Sequence, residues 1–226
     1  MITALLVWLF KKYGRPFIQN NNLSILRVIP YIKCTVIVLV LLLAGFKVTA
    51  QDQTLNYKVI HNGSTVGHMQ LQQHTNGDDT FLKIASEVKM RFIFGIQVNV
   101  EEESHYRDGK LICSHVHRIV NGKEKANKYT KASGDTYQLI DDNKTGLFNQ
   151  KQIGYNLSMM YLKEPVGVSQ IYSDNFQQYV QVKQIGGHIY RIDLPDGNYN
   201  FYTYANGICN KVEIHHSFYK IQMQLA

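Results

Sequence analysis

The sequence predicts a mainly β protein, a single domain whose highly curved antiparallel meander sheet, a half-barrel or open barrel, wraps on one short helix. Three observations support this fold class. Residues 51–226 are rich in Tyr, Val, Ile, Phe and Thr, which suit the pleated and half-buried surface of a sheet. Turn signals recur at intervals of about ten residues, as they do in antiparallel sheets and barrels. Roughly ten or eleven strands are expected, and antiparallel sheets of that size curl rather than stay open.

The strands of the first half are separated by short turn signals, most of them Asn-Gly or Asp-Gly pairs. Such pairs tolerate the positive φ angles that two-residue hairpins need. The signals are Asn62-Gly63, Asn76-Gly77, Asp108-Gly109, Asn121-Gly122 and Gly134-Asp135. The strands expected between them are 55–61, 65–74, 81–89, 97–107, 110–120, 123–131 and 136–140. In the fourth of these, Val98, Val100 and Glu102 share one face because side chains alternate along a strand.

The same pattern resumes after residue 165. Its turn signals are Gly186-Gly187, Pro195-Asp196-Gly197 and Asn206-Gly207. The strands expected there are 178–185, 188–193, 199–204, 208–214 and 218–225. Consecutive hairpins place sequential strands side by side, so a meander is the expected topology.

One segment, residues 155–164, breaks the strand pattern. Leu157, Met160, Tyr161 and Glu164 recur at helical spacing, and Pro165 follows as a stop signal. A helix of two to three turns is therefore expected here. Its apolar side needs a surface to bury against, and the concave face of the curved sheet provides one.

Residues 1–50 read as a leader that contains a secretory signal peptide, which leaves 51–226 as the single β-rich domain. Residues 35–46 are apolar and uncharged, Lys33 precedes them, and small residues end the segment at Ala50. Cleavage between Ala50 and Gln51 and a periplasmic or secreted location are predicted. An uncleaved anchor over 28–46 is the alternative, although Pro30 and Lys33 interrupt it. A translation start nearer residue 26 also stays open.

The charge of the chain lies mostly in this leader. The net charge is +7, but residues 1–50 carry six Lys and Arg and no acid, which leaves +1 on residues 51–226. A nearly neutral domain has no electrostatic reason to bind nucleic acid, so no nucleic-acid partner is predicted. Whether Cys113 and Cys209 pair in an oxidising compartment remains open at this point.

The sequence carries no strong catalytic motif: G-x-S-x-G, H-E-x-x-H, C-x-x-C and the phosphate-binding G-x-x-x-x-G-K-[ST] do not occur in it. No cofactor and no catalytic residue are predicted. His115 and His117 are weak candidates for metal ligands, because residues i and i+2 of a strand point to one side. Glu101, Glu103 or His105 could add a third ligand from the next strand. A solvated sheet face with His–Glu pairs is the simpler interpretation.

Methionine and aromatic residues are frequent in the second half, where they either fill a core or line an apolar ligand cavity. The residues predicted to bind a ligand are Leu157, Met160 and Tyr161 of the helix, with Phe201 facing it. The leading functional hypothesis is non-catalytic binding of an apolar or amphipathic ligand in the concave face. The alternatives are a metal-dependent envelope enzyme that uses the His115/His117 region, and a structural or assembly protein of the envelope.

Several motifs resemble an uncharacterised bacterial family, domain of unknown function 6134. The motifs are Glu164-Pro165-Val166-Gly167, Ile171-Tyr172-Ser173-Asp174-Asn175-Phe176, 190–199 and Tyr204-Ala205-Asn206-Gly207. The first hairpin, with Tyr57-Lys58-Val59, and residues 157–163 are also similar to domain of unknown function 3108. The resemblance implies an exported single domain whose sheet is similar to the half-barrels of the lipoprotein carriers LolA and LolB. It therefore suggests a lipid or another apolar small molecule as partner and peripheral association with the outer membrane.

Overall fold

Fourteen antiparallel strands form one sheet in the computed structural model, which describes residues 51–91, 95–142 and 144–226. The first eight strands are β1 Gln51–His61, β2 Ser64–Asn76, β3 Asp79–Arg91, β4 Gly95–Arg107, β5 Lys110–Val120, β6 Lys123–Ser133, β7 Thr136–Asp141 and β8 Lys144–Phe148. The other six are β9 Gln170–Ser173, β10 Gln178–Gly186, β11 Ile189–Asp193, β12 Tyr199–Ala205, β13 Ile208–His215 and β14 Lys220–Leu225.

The strand order is β8-β7-β6-β5-β4-β3-β2-β1-β14-β13-β12-β11-β10-β9. Two meanders, β1–β8 and β9–β14, therefore meet where β1 pairs with β14. The sheet is an open barrel, since its edge strands β8 and β9 are not hydrogen bonded to each other. The predicted fold class is confirmed.

The sheet has two strands more than the twelve ranges that the turn signals separate, and these two, β8 and β9, lie at its two edges. Both strands are short, with the sequences KTGLF and QIYS, and neither shows a clear alternation of apolar and polar residues. Side chains bridge the gap between these edges. The Phe148 ring lies 5.5 Å from that of Tyr172, the Tyr172 hydroxyl is 2.9 Å from Thr130 Oγ1, and Gln177 Nε2 donates to the carbonyls of Tyr129 and Ile140.

The hairpin turns follow their sequence signals. Both residues of Asn62-Gly63, Asp108-Gly109, Asn121-Gly122 and Asn206-Gly207 have positive φ, between 48° and 79°. This is the backbone that two-residue hairpins require. Gly67 has another role, since a Cβ atom there would lie 2.1 Å from the carbonyl oxygen of Glu87 on β3. Gly67 lies beside the register shift between β1 and β2.

The predicted helix of two to three turns is wrong in length. Only Ser158–Tyr161 is helical, as a single 3-10 turn. Before it, Asn156 forms an isolated parallel bridge with Tyr172 on β9, and the backbone of Leu157 and Tyr155 is hydrogen bonded to Tyr172. The Tyr172 amide thus occupies the Tyr155 carbonyl, which in a longer helix would accept the first helical hydrogen bond, from Met159.

The 3-10 turn belongs to a re-entrant segment, residues 153–164, that fills the interior of the barrel. At its start, the Leu111 amide donates to the Ile153 carbonyl, and at its end the Glu164 amide donates to the Gly207 carbonyl. β4 and β12 run in the same direction in this antiparallel order. The turns that follow them therefore lie at the same end of the barrel. The segment therefore enters and leaves the barrel at the same end.

The predicted leader 1–50 and its cleavage site after Ala50 lie outside the described residues, and Gln51 is the first residue of β1. No helix in the described part of the chain has the length and hydropathy needed to cross a bilayer.

Candidate ligand-binding groove

The residues predicted to bind a ligand around the helix form the core instead of lining an open space. Met160 is fully buried, and its carbonyl accepts a 2.7 Å hydrogen bond from the Tyr204 hydroxyl. The ring of Tyr161 packs edge-on against Tyr57 and Tyr202, at 5.4 and 6.0 Å between centroids. Leu157 packs against the same cluster. A ligand in this part of the interior would have to displace the segment.

Phe201 does not face the helix, which corrects the prediction. Its neighbours Tyr202 and Tyr204 are buried against the re-entrant segment, so alternation turns Phe201 to the other face of β12. There its ring contacts His215 on β13 at 5.2 Å. The sequence did not distinguish the two faces of β12, because aromatic residues occur on both.

A buried polar cluster ties the re-entrant segment to the barrel wall. The Asn156 side-chain amide donates to Ser104 Oγ at 2.9 Å and to Asp174 Oδ2 at 2.8 Å. Two residues further on, Ser158 Oγ donates to Glu102 Oε2 at 2.9 Å. Among the described atoms, Asp174 Oδ1 and the Tyr106 hydroxyl are buried without a hydrogen-bond partner.

The pKa values of both carboxyl groups of this cluster are raised. Burial raises the pKa of Asp174 to about 7; the nearby Glu102 adds to the rise, while Ser114 and Asn156 oppose it. Burial also raises the pKa of Glu102, and the hydrogen bond from Ser158 and the charge of Arg118 oppose that rise. The cluster connects the segment to the barrel wall through the hydrogen bonds of Asn156 and Ser158.

His115 and His117 share the outer face of β5, and the carboxylates suggested as further ligands lie opposite them in register, Glu103 beside His115 and Glu101 beside His117. One ring nitrogen of each imidazole already has a hydrogen-bond partner. His115 Nε2 lies 3.0 Å from Asn127 Oδ1, and His117 Nε2 lies 2.9 Å from Glu124 Oε2. Within residues 51–91, 95–142 and 144–226, no three His, Cys, Asp or Glu side chains are grouped so that they could hold a metal ion.

A groove of about 710 Å³ crosses the outer face of the sheet from β2 to β6. We define this outer groove by six of its lining residues, Phe81, Lys83, His105, Cys113, Tyr129 and Lys131. Their chain neighbours Leu82, Ser104, Ser114 and Thr130 are buried on the inner face. Alternation therefore directs the six side chains outward.

The register of the strands aligns these residues in a row. Phe81 lies opposite His105, His105 opposite Cys113, and Cys113 opposite Lys131. The short side chain of Cys113 stands between larger ones and forms the floor of the groove. Both cysteines of the described chain are free; Cys113 is partly exposed, and Cys209 is buried on β13.

Stacked rings stand on either side of Cys113. The Phe81 ring is 42% exposed and stacks on the His105 ring, with centroids 4.3 Å apart and planes 12° apart. Asp79 fixes His105 from behind through a contact of 2.5 Å to Nε2. On the other side, Tyr129 stacks on His115 at 4.0 Å and 4°. The two aromatic walls are thus preoriented and reachable from solvent.

The charges around the outer groove are mostly compensated. Lys83 is paired with Glu103 at 2.8 Å. The pKa of Asp79 is lowered by its hydrogen bonds to His105 and Arg107, so this carboxylate stays ionised. Burial raises the pKa of the Cys113 thiol, although Lys131 opposes the rise, so the thiol is protonated at neutral pH. The groove combines apolar rings, hydrogen-bonding groups and a neutral thiol.

The fold and this surface define the class of the protein: it is a β-barrel-like domain with a filled interior and a groove on the outside. The chain belongs to the family domain of unknown function 6134, whose model matches residues 57–226. A crystal structure of a β-barrel-like protein of domain of unknown function 1849 from Brucella abortus is similar, with 10% sequence identity and a TM-score of 0.48. The similarity covers 78% of this chain and 95% of that chain. A search of curated proteins gave no match.

Proposed function

We propose that this is an exported, non-catalytic binding protein of the cell envelope, periplasmic or secreted, which holds an apolar or amphipathic ligand in the outer groove. The observation that carries the proposal is the pair of stacked aromatic walls, Phe81 on His105 and Tyr129 on His115, on either side of a groove of about 710 Å³. Small-molecule sites combine apolar rings with a few convergent polar groups in this way.

The outer groove is a better site than the interior of the barrel. The interior near the 3-10 turn holds Met160 and Tyr161 in tight contact with Tyr57, Tyr202 and Tyr204. Binding there would expose these side chains or expel the segment, which costs free energy before any ligand contact forms. The rings of the outer groove are already accessible, so a ligand gains apolar burial without that cost.

Native mass spectrometry of the purified protein, combined with alkylation of Cys113, tests this function. A co-purified small molecule should slow the reaction of Cys113 with N-ethylmaleimide, read for each cysteine by peptide mapping. Cys209 is fully buried and serves as an internal control. Displacement of the ligand should restore the rate at Cys113 alone.

Replacement of both aromatic walls locates the site. Phe81→Ala with Tyr129→Ala should abolish ligand retention, whereas Phe218→Ala, which removes a ring that is 88% exposed and lies outside the groove, should not. Full retention in the double variant would contradict the proposal. Loss of the ligand in Met160→Ala, together with retention in the double variant, would indicate that the binding site lies in the interior of the barrel.

Two other functions are weaker candidates. A metal-dependent enzyme at His115 and His117 would need further ligands, and both imidazoles are engaged with Asn127 and Glu124. A structural or assembly role would give a protein that retains neither metal nor small molecule. Metal analysis of the same sample separates these outcomes.

A further inference from the structure

The carboxylates around the outer groove already have hydrogen-bond or ion-pair partners. Glu103 is bound by Lys83, at 2.8 Å. Asp79 is bound by both His105 and Arg107. On the far side of Phe81, His74 lies 2.5 Å from Asp52. A ligand would therefore meet no unpaired acid among these groups.

Lys131 differs from the other charged residues of the outer groove. Of the lining lysines in the described chain, Lys83 has a carboxylate within 4.0 Å and Lys131 has none. Its ammonium group lies 5.3 Å from the centroid of the Tyr129 ring. The charge also acts toward the groove floor, since it lowers the pKa of Cys113 against the larger effect of burial. The groove thus carries one uncompensated positive charge at its β6 end.

The row of cross-strand neighbours sets the spacing between the backbones of Phe81 and Lys131. Phe81 lies on β3 and Lys131 on β6, and three strand spacings separate them, about 14 Å in a regular sheet. Cys113 lies between them, and its short side chain leaves room above the floor of the groove. A molecule with an apolar ring or chain at one end and an acidic group at the other matches this arrangement.

We propose that the ligand of the outer groove is an amphipathic organic monoanion, whose acidic group pairs with Lys131 and whose apolar part lies over Cys113 against Phe81 and Tyr129. This inference rests on the proposed function and names the ligand class of the same site. Fatty acids and small aromatic acids share this chemistry. A neutral or cationic amphiphile of the same shape would leave Lys131 without a counter-charge.

Matched acids and alcohols test the charge separately from the apolar contact. The probes are octanoate with 1-octanol, and 4-phenylbutyrate with 4-phenyl-1-butanol, and the readout is the rate of Cys113 alkylation with and without probe in the full chain. At equal concentration, at least one acid should protect Cys113 about fivefold better than its alcohol, the factor that a partly exposed ion pair provides. Stronger protection by octanoate indicates acyl chains as the natural source, and stronger protection by 4-phenylbutyrate indicates aromatic acids.

Lys131→Gln should remove the difference between acid and alcohol and leave the weaker protection by the alcohol intact. Lys123→Gln on the same strand, an exposed lysine that does not line the groove, is the matched control and should behave as the wild type. Because Lys131 affects the thiol itself, each variant is compared with its own probe-free rate. Equal protection by acid and alcohol, no protection by any probe, or an acid preference that survives Lys131→Gln would overturn the inference. These probe experiments test only the preference for an acid. The proposed function is tested separately, by the retention of a co-purified ligand in the Phe81→Ala and Tyr129→Ala double variant.

Discussion

Replacement of Asp174 by Asn should stabilise the protein at neutral and alkaline pH. In the native state burial raises the pKa of this carboxyl group to about 7, whereas its ordinary value is 3.8. The native state therefore retains a proton that the unfolded chain releases. The contribution of the protonated Asp174 carboxyl group to the free energy of unfolding is fully present below about pH 4. It is lost as the pH rises towards 7, where the ionised carboxylate is buried in the native state. Asn is uncharged at every pH and has nearly the same shape as the protonated acid.

The size of the effect follows from the two pKa values. They differ by about three units, and each unit corresponds to about 1.4 kcal/mol, so the penalty above pH 7 approaches about 4 kcal/mol as an upper limit. In Asp174→Asn the side-chain oxygen can still accept the bond from Asn156. The new NH₂ group can donate to the Ser114 hydroxyl, which already interacts with the native carboxyl group.

Urea unfolding at pH 4 and pH 8 measures this difference. The free energy of unfolding of Asp174→Asn, taken relative to that of the wild type, should be higher at pH 8 than at pH 4 by on the order of 2–4 kcal/mol. Asp135→Asn, whose side chain is 80% exposed, is the matched control and should leave the pH dependence unchanged. A parallel pH dependence in wild type and Asp174→Asn, or a loss of stability in the variant at both pH values, would refute the reasoning.

Three further substitutions probe the packing by urea unfolding. Gly67→Ala should destabilise by about 3 kcal/mol or more, because its Cβ would lie 2.1 Å from the Glu87 carbonyl oxygen, whereas Gly146→Ala, with its nearest contact at 3.9 Å, should change little. Tyr204→Phe should cost about 1–3 kcal/mol, since the Met160 carbonyl loses its 2.7 Å donor inside the core. Met160→Ala should cost about 2–5 kcal/mol by leaving a buried cavity, and a loss below about 1 kcal/mol would show that the interior is not tightly filled.

The hairpins could be predicted from the sequence because their signals are local. Asn-Gly and Asp-Gly pairs need only their own backbone angles, and the structure gives positive φ at both positions of four such pairs. The re-entrant segment depends on distant partners. The bond from the Tyr172 amide to the Tyr155 carbonyl replaces the first bond of the helix that the local spacing of apolar residues favoured.

The outer groove could not be predicted, because its residues come from five strands and meet only through the register. On β5 that register includes a shift, since Tyr106 pairs with Leu111 and His105 with Cys113. The extra residue, Ile112, changes which of the following side chains point outward. Simple counting from the Asp108-Gly109 turn would pair His105 with Ile112. The bulge turns Cys113 and His115 to the face that carries Phe81, His105 and Tyr129.

The strand order also has a consequence for how the protein folds. Each meander contains only pairings between strands that follow one another in sequence, so each can form from local hairpins. The pairing of β1 with β14 joins residues about 160 positions apart and comprises four residue pairs, from Tyr57↔Leu225 to Ile60↔Gln222. Closing such a long loop is costly and slow. We therefore expect two fast phases of folding, in which the meanders form, and one slower phase, in which β1 pairs with β14.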